Sequence, residues 1–209
     1  MRHPHGLRAA AGNIGGLPNI GAAYEGGFFA GAISHTANGV ATHLLIVAPA
    51  ATGASSGQWK TTNTTTAGTT STYDGAANSA NMNDASHPAA QFCETLSIGG
   101  YIDWYLPARD ELEIAYYNLK PTTAGNSGSH GINAYSVPAR GSNYTSTPAQ
   151  TTVTAFQTGN SEAFSTRHWS STESSSTTAW DIVFTNGFQR YVTSKGTVDA
   201  VRAFRKVAV

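Results

Sequence analysis

Two long polar stretches alternate with three short apolar segments, and this alternation most constrains the fold. Residues 52–83 and 121–179 consist mainly of small and weakly polar residues, and the second stretch holds four charged side chains in 59 positions. The large apolar and aromatic side chains concentrate in residues 24–49, 84–120 and 180–207. We therefore expect the core to form mainly from these three segments. The polar stretches are predicted to be long surface loops, which on compact scaffolds often carry function.

Composition excludes several classes of protein. The chain has 209 residues, enough for one large domain, and its 12 Lys and Arg balance 12 Asp and Glu, which argues against nucleic acid as a partner. No apolar run approaches the length of a membrane span, and the first six residues lack the apolar core of a secretory signal. The single Cys93 excludes an internal disulfide and is expected to be buried. No cofactor is expected.

Two amphipathic helices are predicted in the middle of the chain. The first begins at Asp84 or Ser86 and ends at Gly99, and the second lies between Pro107 and Pro121. Apolar residues recur at helical spacing in both. They are Ala89, Phe92, Cys93 and Leu96 in the first, and Leu112, Ala115, Tyr116 and Leu119 in the second.

Strands are predicted at both ends of the chain. They cover residues 25–33 and 40–48 near the start and about 180–206 near the end, where Asn186-Gly187 is a strong hairpin signal. An odd loop that places Phe184 opposite Phe188 keeps the most apolar side chains on one face. Helices between terminal strands predict an α+β domain whose terminal strands share a sheet.

Several strings resemble one known family, the C-terminal domain of collagen-like adhesins. Gly99-Gly-Tyr-Ile-Asp-Trp-Tyr-Leu-Pro-Ala-Arg-Asp-Glu-Leu112 resembles its signature GG-x-x-DW-x-LP-x-x-x-EL. His168-Trp-Ser-Ser-Thr-Glu173, Ala179-Trp180, Lys195 and Val201-Arg-Ala-Phe-Arg205 resemble its ending, and the match runs in order over residues 24–207. The resemblance implies a C-type-lectin-like fold: a mixed or antiparallel sheet with two helices and long polar loops.

The family occurs in bacterial surface adhesins and in bacteriophage tail fibres. Gly16-Leu-Pro-Asn-Ile-Gly21 resembles an element that joins a tail-fibre shaft to its tip, which implies a connector at residues 1–23 and a receptor-binding domain at 24–209. The chain thus resembles a non-catalytic tail-fibre tip, a homotrimer at the distal end of the fibre in the virion. Such a tip joins the rest of the tail fibre and adsorbs to a bacterial surface polysaccharide or pilus. The alternatives are a bacterial adhesin that binds glycan or matrix, and a polysaccharide depolymerase tip.

The motif residues are expected to hold the scaffold, with tryptophans in the core and charged side chains joining helix to strand. They are Asp103, Trp104, Arg109, Glu111, Trp169, Glu173, Trp180, Arg202 and Arg205. Two positions depart from the family pattern. Ala108 stands where a helix-capping Ser or Thr is common, and His168 replaces a common Tyr.

Receptor contacts are predicted in the loop after the second helix, where Tyr, Asn and Ser suit both sugars and protein surfaces. The candidates are His130, Tyr135, Arg140, Asn143 and Tyr144. Glu113 faces away from Asp110 on the predicted helix, so these carboxylates give no sign of a glycosidase pair. His3 and His5 could bind a metal in a trimer or lie in a frayed terminus, and both interpretations stay open.

Overall fold

A computed structural model describes residues 17–209, which form mostly strands with four short helices. The strands are β1 (Ala23–Tyr24), β2 (Gly27–Ile33), β3 (His43–Val47), β4 (Ala54–Gln58), β5 (Ser136–Val137), β6 (Arg167–Glu173), β7 (Thr178–Val183), β8 (Phe188–Ser194), β9 (Val198–Arg202) and β10 (Phe204–Ala208). The helices are α1 (Ala50–Gly53), α2 (Gly75–Ala80), α3 (Pro88–Glu94) and α4 (Arg109–Leu119). Most of the predicted connector, with His3 and His5, lies outside the described residues.

The strands form two five-stranded sheets, one ordered β1-β2-β3-β10 with β5 beside β2, the other ordered β4-β9-β6-β7-β8. All pairs are antiparallel except β6 and β9, which run parallel. The chain passes from one sheet to the other at Ala203, because β9 pairs with β4 and β10 pairs with β3. The predicted α+β class is confirmed. Of the predicted C-terminal strands only the last, β10, shares a sheet with β2 and β3, whereas β7, β8 and β9 lie in the second sheet.

Both predicted helices are present, although the first is shorter than expected. Helix α3 begins at Pro88, and Asp84 instead accepts hydrogen bonds from the Ser86 N–H and hydroxyl, so the expected capping residues are wrong. Helix α4 begins after Ala108, whose methyl group offers no acceptor. Its first N–H groups are satisfied by distant segments, since Thr172 Oγ1 accepts from Arg109 N and Thr72 O accepts from Asp110 N.

The core has two clusters, which pack on the two sides of the first sheet and include most of the predicted apolar positions. Trp59, Trp104 and Trp169 are fully buried in one cluster, and α4 contributes the centre of the other. Trp180 is only half-buried, so the prediction that it belongs to the core is wrong. Its ring packs instead against Tyr191 and lies 4.8 Å from the guanidinium carbon of Arg109.

The register of the last hairpin differs from the prediction. Val183, not Phe184, lies opposite Phe188, and residues 184–187 form the turn. Phe184 is nevertheless fully buried, because its ring stacks on Phe164 at 4.1 Å between centroids, while Phe188 is 41% exposed. A contact with a distant loop outweighs the local preference to keep apolar side chains opposite one another.

The polar stretches are not loops throughout. Strand β4 and helix α2 lie in the first, and β6 lies in the second. The Ser and Thr residues of β6 are buried with their polar groups satisfied: Ser170 O accepts from the Trp59 indole at 2.8 Å, and Ser170 Oγ donates to Trp180 O. Hydroxyl side chains can therefore form a central strand here because the surrounding backbone supplies their partners.

Candidate functional site

The motif tryptophans Trp104 and Trp169 donate their indole N–H groups to backbone carbonyls inside the molecule. The acceptors are Tyr101 O at 3.1 Å and Gly57 O at 3.0 Å. Buried indoles need such partners. The Trp169 bond joins segments 112 residues apart, whereas the Trp104 bond is local and fixes the turn just before α4.

The motif carboxylates and arginines also join segments that are far apart in sequence. Arg202 is buried and donates to Ala48 O and Glu162 Oε2, each at 2.6 Å. Arg205 forms a two-pronged pair with Asp103, at 2.8 and 3.0 Å. Glu173 pairs with the buried Lys195. Contacts of this kind are expected of residues that hold a scaffold together. The scaffold role of these side chains remains a prediction.

Glu111 is fully buried at the start of α4 and ties this helix to the first polar stretch. Its Oε2 accepts from the N–H groups of Gly75 and Ala108, and its Oε1 accepts from the Tyr105 hydroxyl. Burial is the largest influence on this carboxyl and raises its pKa to about 7, although these donors oppose the rise.

Glu113 of α4 is buried beneath the loop in which receptor contacts are predicted, and three residues of that loop bind its carboxylate. One carboxylate oxygen accepts the Tyr144 hydroxyl, and the other accepts Arg140 and, at 2.6 Å, the amide of Asn133. Asn133 in turn accepts from the N–H groups of Tyr135 and Ser136. Burial raises the pKa of Glu113, and the Arg140 charge opposes that rise.

Sequence reasoning missed this role of Glu113. The prediction considered whether it could form a pair with Asp110, and the structure shows that its partners lie 20 to 31 residues downstream. The available signal was the position of Glu113 beside the apolar stripe of the predicted helix, which indicates burial. A buried carboxylate needs a cation and hydrogen-bond donors, so partners from elsewhere in the chain could have been expected.

The five predicted contact residues do not form one cluster. His130 packs edge-on against Phe188 at 4.7 Å, and Tyr135 stacks on Tyr73 at 4.2 Å between ring centroids. Neither lines the cleft formed by the other three.

Arg140, Asn143 and Tyr144 lie together in a cleft of about 210 Å³. The cleft also contains Tyr117, whose ring lies 4.1 Å below the Arg140 guanidinium carbon. Tyr144, one of the predicted receptor contacts, is only 5% exposed and donates its hydroxyl to Glu113, so almost none of its side chain is accessible to a receptor. Its ring instead supports the floor of the cleft, and exposed residues such as Asn143 form the rim.

No group of three or more metal-ligating side chains occurs within residues 17–209. In the same range, no helix is long and apolar enough to cross a membrane. Neither a scan of protein-family models nor a search of curated proteins returned a match to this chain.

Proposed function

We propose that the chain is the non-catalytic, receptor-binding tip of a bacteriophage tail fibre, with a C-type-lectin-like fold. The observation that carries the proposal is a polar recognition loop built on a buried ionic centre. Residues 121–166 expose mainly amide and hydroxyl side chains, and Glu113 holds Asn133, Arg140 and Tyr144 beneath them.

Such an arrangement suits binding because the loop is ordered before a ligand arrives. A loop that orders only on binding loses conformational entropy at that step, which weakens affinity. Here three points along the loop are already fixed on one carboxylate, so a receptor meets a formed surface. Exposed Asn, Ser and Thr side chains then provide adaptable hydrogen bonds.

The fold assignment within this proposal rests on the motif residues and on their setting. The Gly99–Leu112 string leads into α4, and β10, the strand that contains Arg205, pairs with β3 near the start of the domain. These positions agree with the expected fold, in which the strands near the two ends of the domain pair and long loops lie between them in the chain. The resemblance at Gly16–Gly21 favours a fibre tip over a cell-anchored adhesin.

Assembly as a homotrimer would strengthen weak sites. Three clefts on one fibre act at high effective concentration on a densely decorated cell surface, so overall affinity exceeds that of one site without any new contact. The partners proposed are therefore a bacterial surface receptor, two further copies of this chain and the rest of the fibre.

The proposal is tested by adsorption of the labelled 209-residue chain to a panel of bacterial strains. We expect at least one strain to bind the protein, and we expect Tyr117→Ala to lose at least about tenfold in binding, a typical effect for a central aromatic contact. Tyr191→Ala is the matched control, because it removes the same atoms from an exposed strand face away from the cleft. Equal binding by both variants, or binding to no strain, would contradict the proposal.

Two further measurements separate the alternatives. Incubation with polysaccharide purified from a binding strain should release no oligosaccharide, and release would favour the depolymerase. Neighbouring tail genes are expected beside the gene, whereas a neighbouring or attached cell-wall anchor would favour the bacterial adhesin.

A further inference from the structure

The cleft beside Arg140 is the first of three linked depressions, and their shape and chemistry bear on what the proposed receptor is. A second depression of about 520 Å³ shares Tyr117 and Thr147 with the cleft. A third of about 390 Å³ shares Ala149 and Gln150 with the second. The chain segment 142–152 contributes lining residues to all three, and we call them together the groove.

The uncharged polar side chains of the groove are amides and hydroxyls. They include Asn118, Ser142, Asn143, Thr145, Thr147 and Gln150. Tyr117 lies where the first two depressions join and adds an aromatic surface to this polar wall. Rings that carry both hydroxyl groups and apolar C–H faces match such a mixture, because aromatic side chains pack on the faces while amides bond the hydroxyls.

The groove contains two cationic residues among its described lining, and both are already engaged. Arg140 pairs with the buried Glu113, and its guanidinium lies over one face of the half-buried Tyr117 ring. Lys120 directs its ammonium group to Ala124 O, to Asn126 Oδ1 at 2.7 Å and to Pro148 O at 3.3 Å. An ammonium group has three protons, so these three acceptors use all of them.

The surroundings add little free charge. Residues 121–166 contain one carboxylate side chain, that of Glu162, and it is paired with Arg202. Both cations therefore already have partners within the protein, and breaking the Arg140–Glu113 pair to bind an acidic ligand would leave a buried carboxylate uncompensated.

We infer that the groove binds a linear, uncharged polysaccharide, with successive sugar rings lying along residues 142–152 and one ring against Tyr117. This inference rests on the proposed receptor-binding function and specifies its ligand. A protein receptor such as a pilus is disfavoured, because protein interfaces concentrate their affinity in large apolar and arginine anchors, and the arginine here is committed inward.

The first test uses a strain that binds the protein in the adsorption experiment. Cells are treated with proteinase or with periodate, which cleaves vicinal diols of sugars, and binding is measured at about 50 and about 500 mM NaCl. We expect binding to survive proteinase and to fall at least tenfold after periodate. We expect it to change less than about twofold with salt, because hydrogen bonds to neutral groups are not screened.

The second test places a charge in the groove at the exposed Asn143. For an uncharged polysaccharide, Asn143→Lys and Asn143→Asp should weaken binding to a similar extent, within about threefold of each other at low salt. For an acidic ligand the lysine variant would bind more tightly and the aspartate variant more weakly, and the difference would shrink with salt. Thermal unfolding of both variants confirms that the fold is retained.

The outcomes separate the two proposals. Loss of binding after proteinase, a large decrease with salt, or opposite effects of the two Asn143 variants would overturn the uncharged polysaccharide while leaving receptor binding intact. Failure to bind any strain would instead remove the proposed function itself.

Discussion

Two loop regions of similar composition are held in place by different arrangements of buried charge, which in the second region include the Lys120 ammonium group as well as the Glu113 carboxylate. The first loop region, residues 59–74, surrounds two buried ammonium groups. Lys60 donates to Thr64 O, Thr65 O and Thr66 Oγ1, and Lys195 donates to Thr64 O and pairs with Glu173. The second loop region, residues 121–166, surrounds the buried carboxylate of Glu113.

The difference lies in what each buried charge attracts. An ammonium group bonds backbone oxygens, so Lys60 and Lys195 gather consecutive peptide groups and fold the first loop region tightly over Trp59. A carboxylate bonds donors, which here are three side chains spread over twelve residues, from Asn133 to Tyr144. The second loop region is therefore held at separate points, and its intervening segments are free to shape a groove.

The largest effect is expected for Glu113→Ala, which removes the centre of the second loop region. Arg140 then loses its counter-ion and Tyr144 its acceptor, and breaking such a buried pair costs about 4 kcal/mol of unfolding free energy. Urea denaturation measures the loss. Adsorption should fall beyond the fraction that is unfolded, and a folded variant with full adsorption would contradict the role assigned to Glu113. Glu113→Gln serves as the control, because it keeps the shape and an acceptor.

Lys195→Met should destabilise the first loop region by about 3 kcal/mol, since it leaves the buried carboxylate of Glu173 without its cation. In contrast to Glu113→Ala, adsorption per folded molecule should not change. Denaturation and adsorption measured on the same sample test this pair of expectations. A binding defect at matched folded fraction would mean that the first loop region also takes part in recognition.

Acid should weaken the attachment of the second loop region through His168, which is buried between Phe164 and Phe184. Burial is the main reason that the pKa of His168 falls to about 3 from 6.5. Because the unfolded chain then takes up a proton first, stability from this group is lost as pH falls below 6.5, by about 2 kcal/mol at pH 5.

His168→Phe should remove this acid sensitivity. Buried Glu111 acts in the opposite sense, because its raised pKa of about 7 favours the folded state as pH falls, so the measured quantity is the difference between wild type and variant at each pH. Parallel stability curves for the two proteins would refute the assignment.

The smallest effect is expected for Asp103→Ala, which lies in the motif but outside both loop regions. The Asp103 side chain is 53% exposed, so its pair with Arg205 is screened by water and contributes less than about 1 kcal/mol. The melting temperature should shift slightly and adsorption should not change. A loss of binding at an unchanged melting temperature would move the recognition surface to this edge.

The regular elements were the predictable part of this molecule. Helix α4 and the strands near both ends follow from apolar spacing and from turn residues close by in sequence, which is local information. The hairpin register was not predictable, because the partner of Phe184 is Phe164, in a polar segment with no periodic pattern.

The candidate site was predictable only as a stretch of chain. Its composition indicated a recognition loop, and Asn143 and Arg140 do reach the cleft. Glu113 and Tyr117 were missed because their importance depends on loop residues that approach α4 only in the folded chain. Composition identifies adaptable side chains, whereas the shape of a groove depends on buried partners.

The passage of the chain between the two sheets at Ala203 has a consequence for synthesis. Strands β3 and β4 pair with β10 and β9, which lie about 150 residues later in the chain. A growing chain therefore carries β3 and β4 with open hydrogen-bonding edges until residues 198–208 have left the ribosome. Because such edges can pair with other chains, this late pairing exposes the nascent domain to aggregation, and its two sheets cannot be completed by stepwise folding from its start.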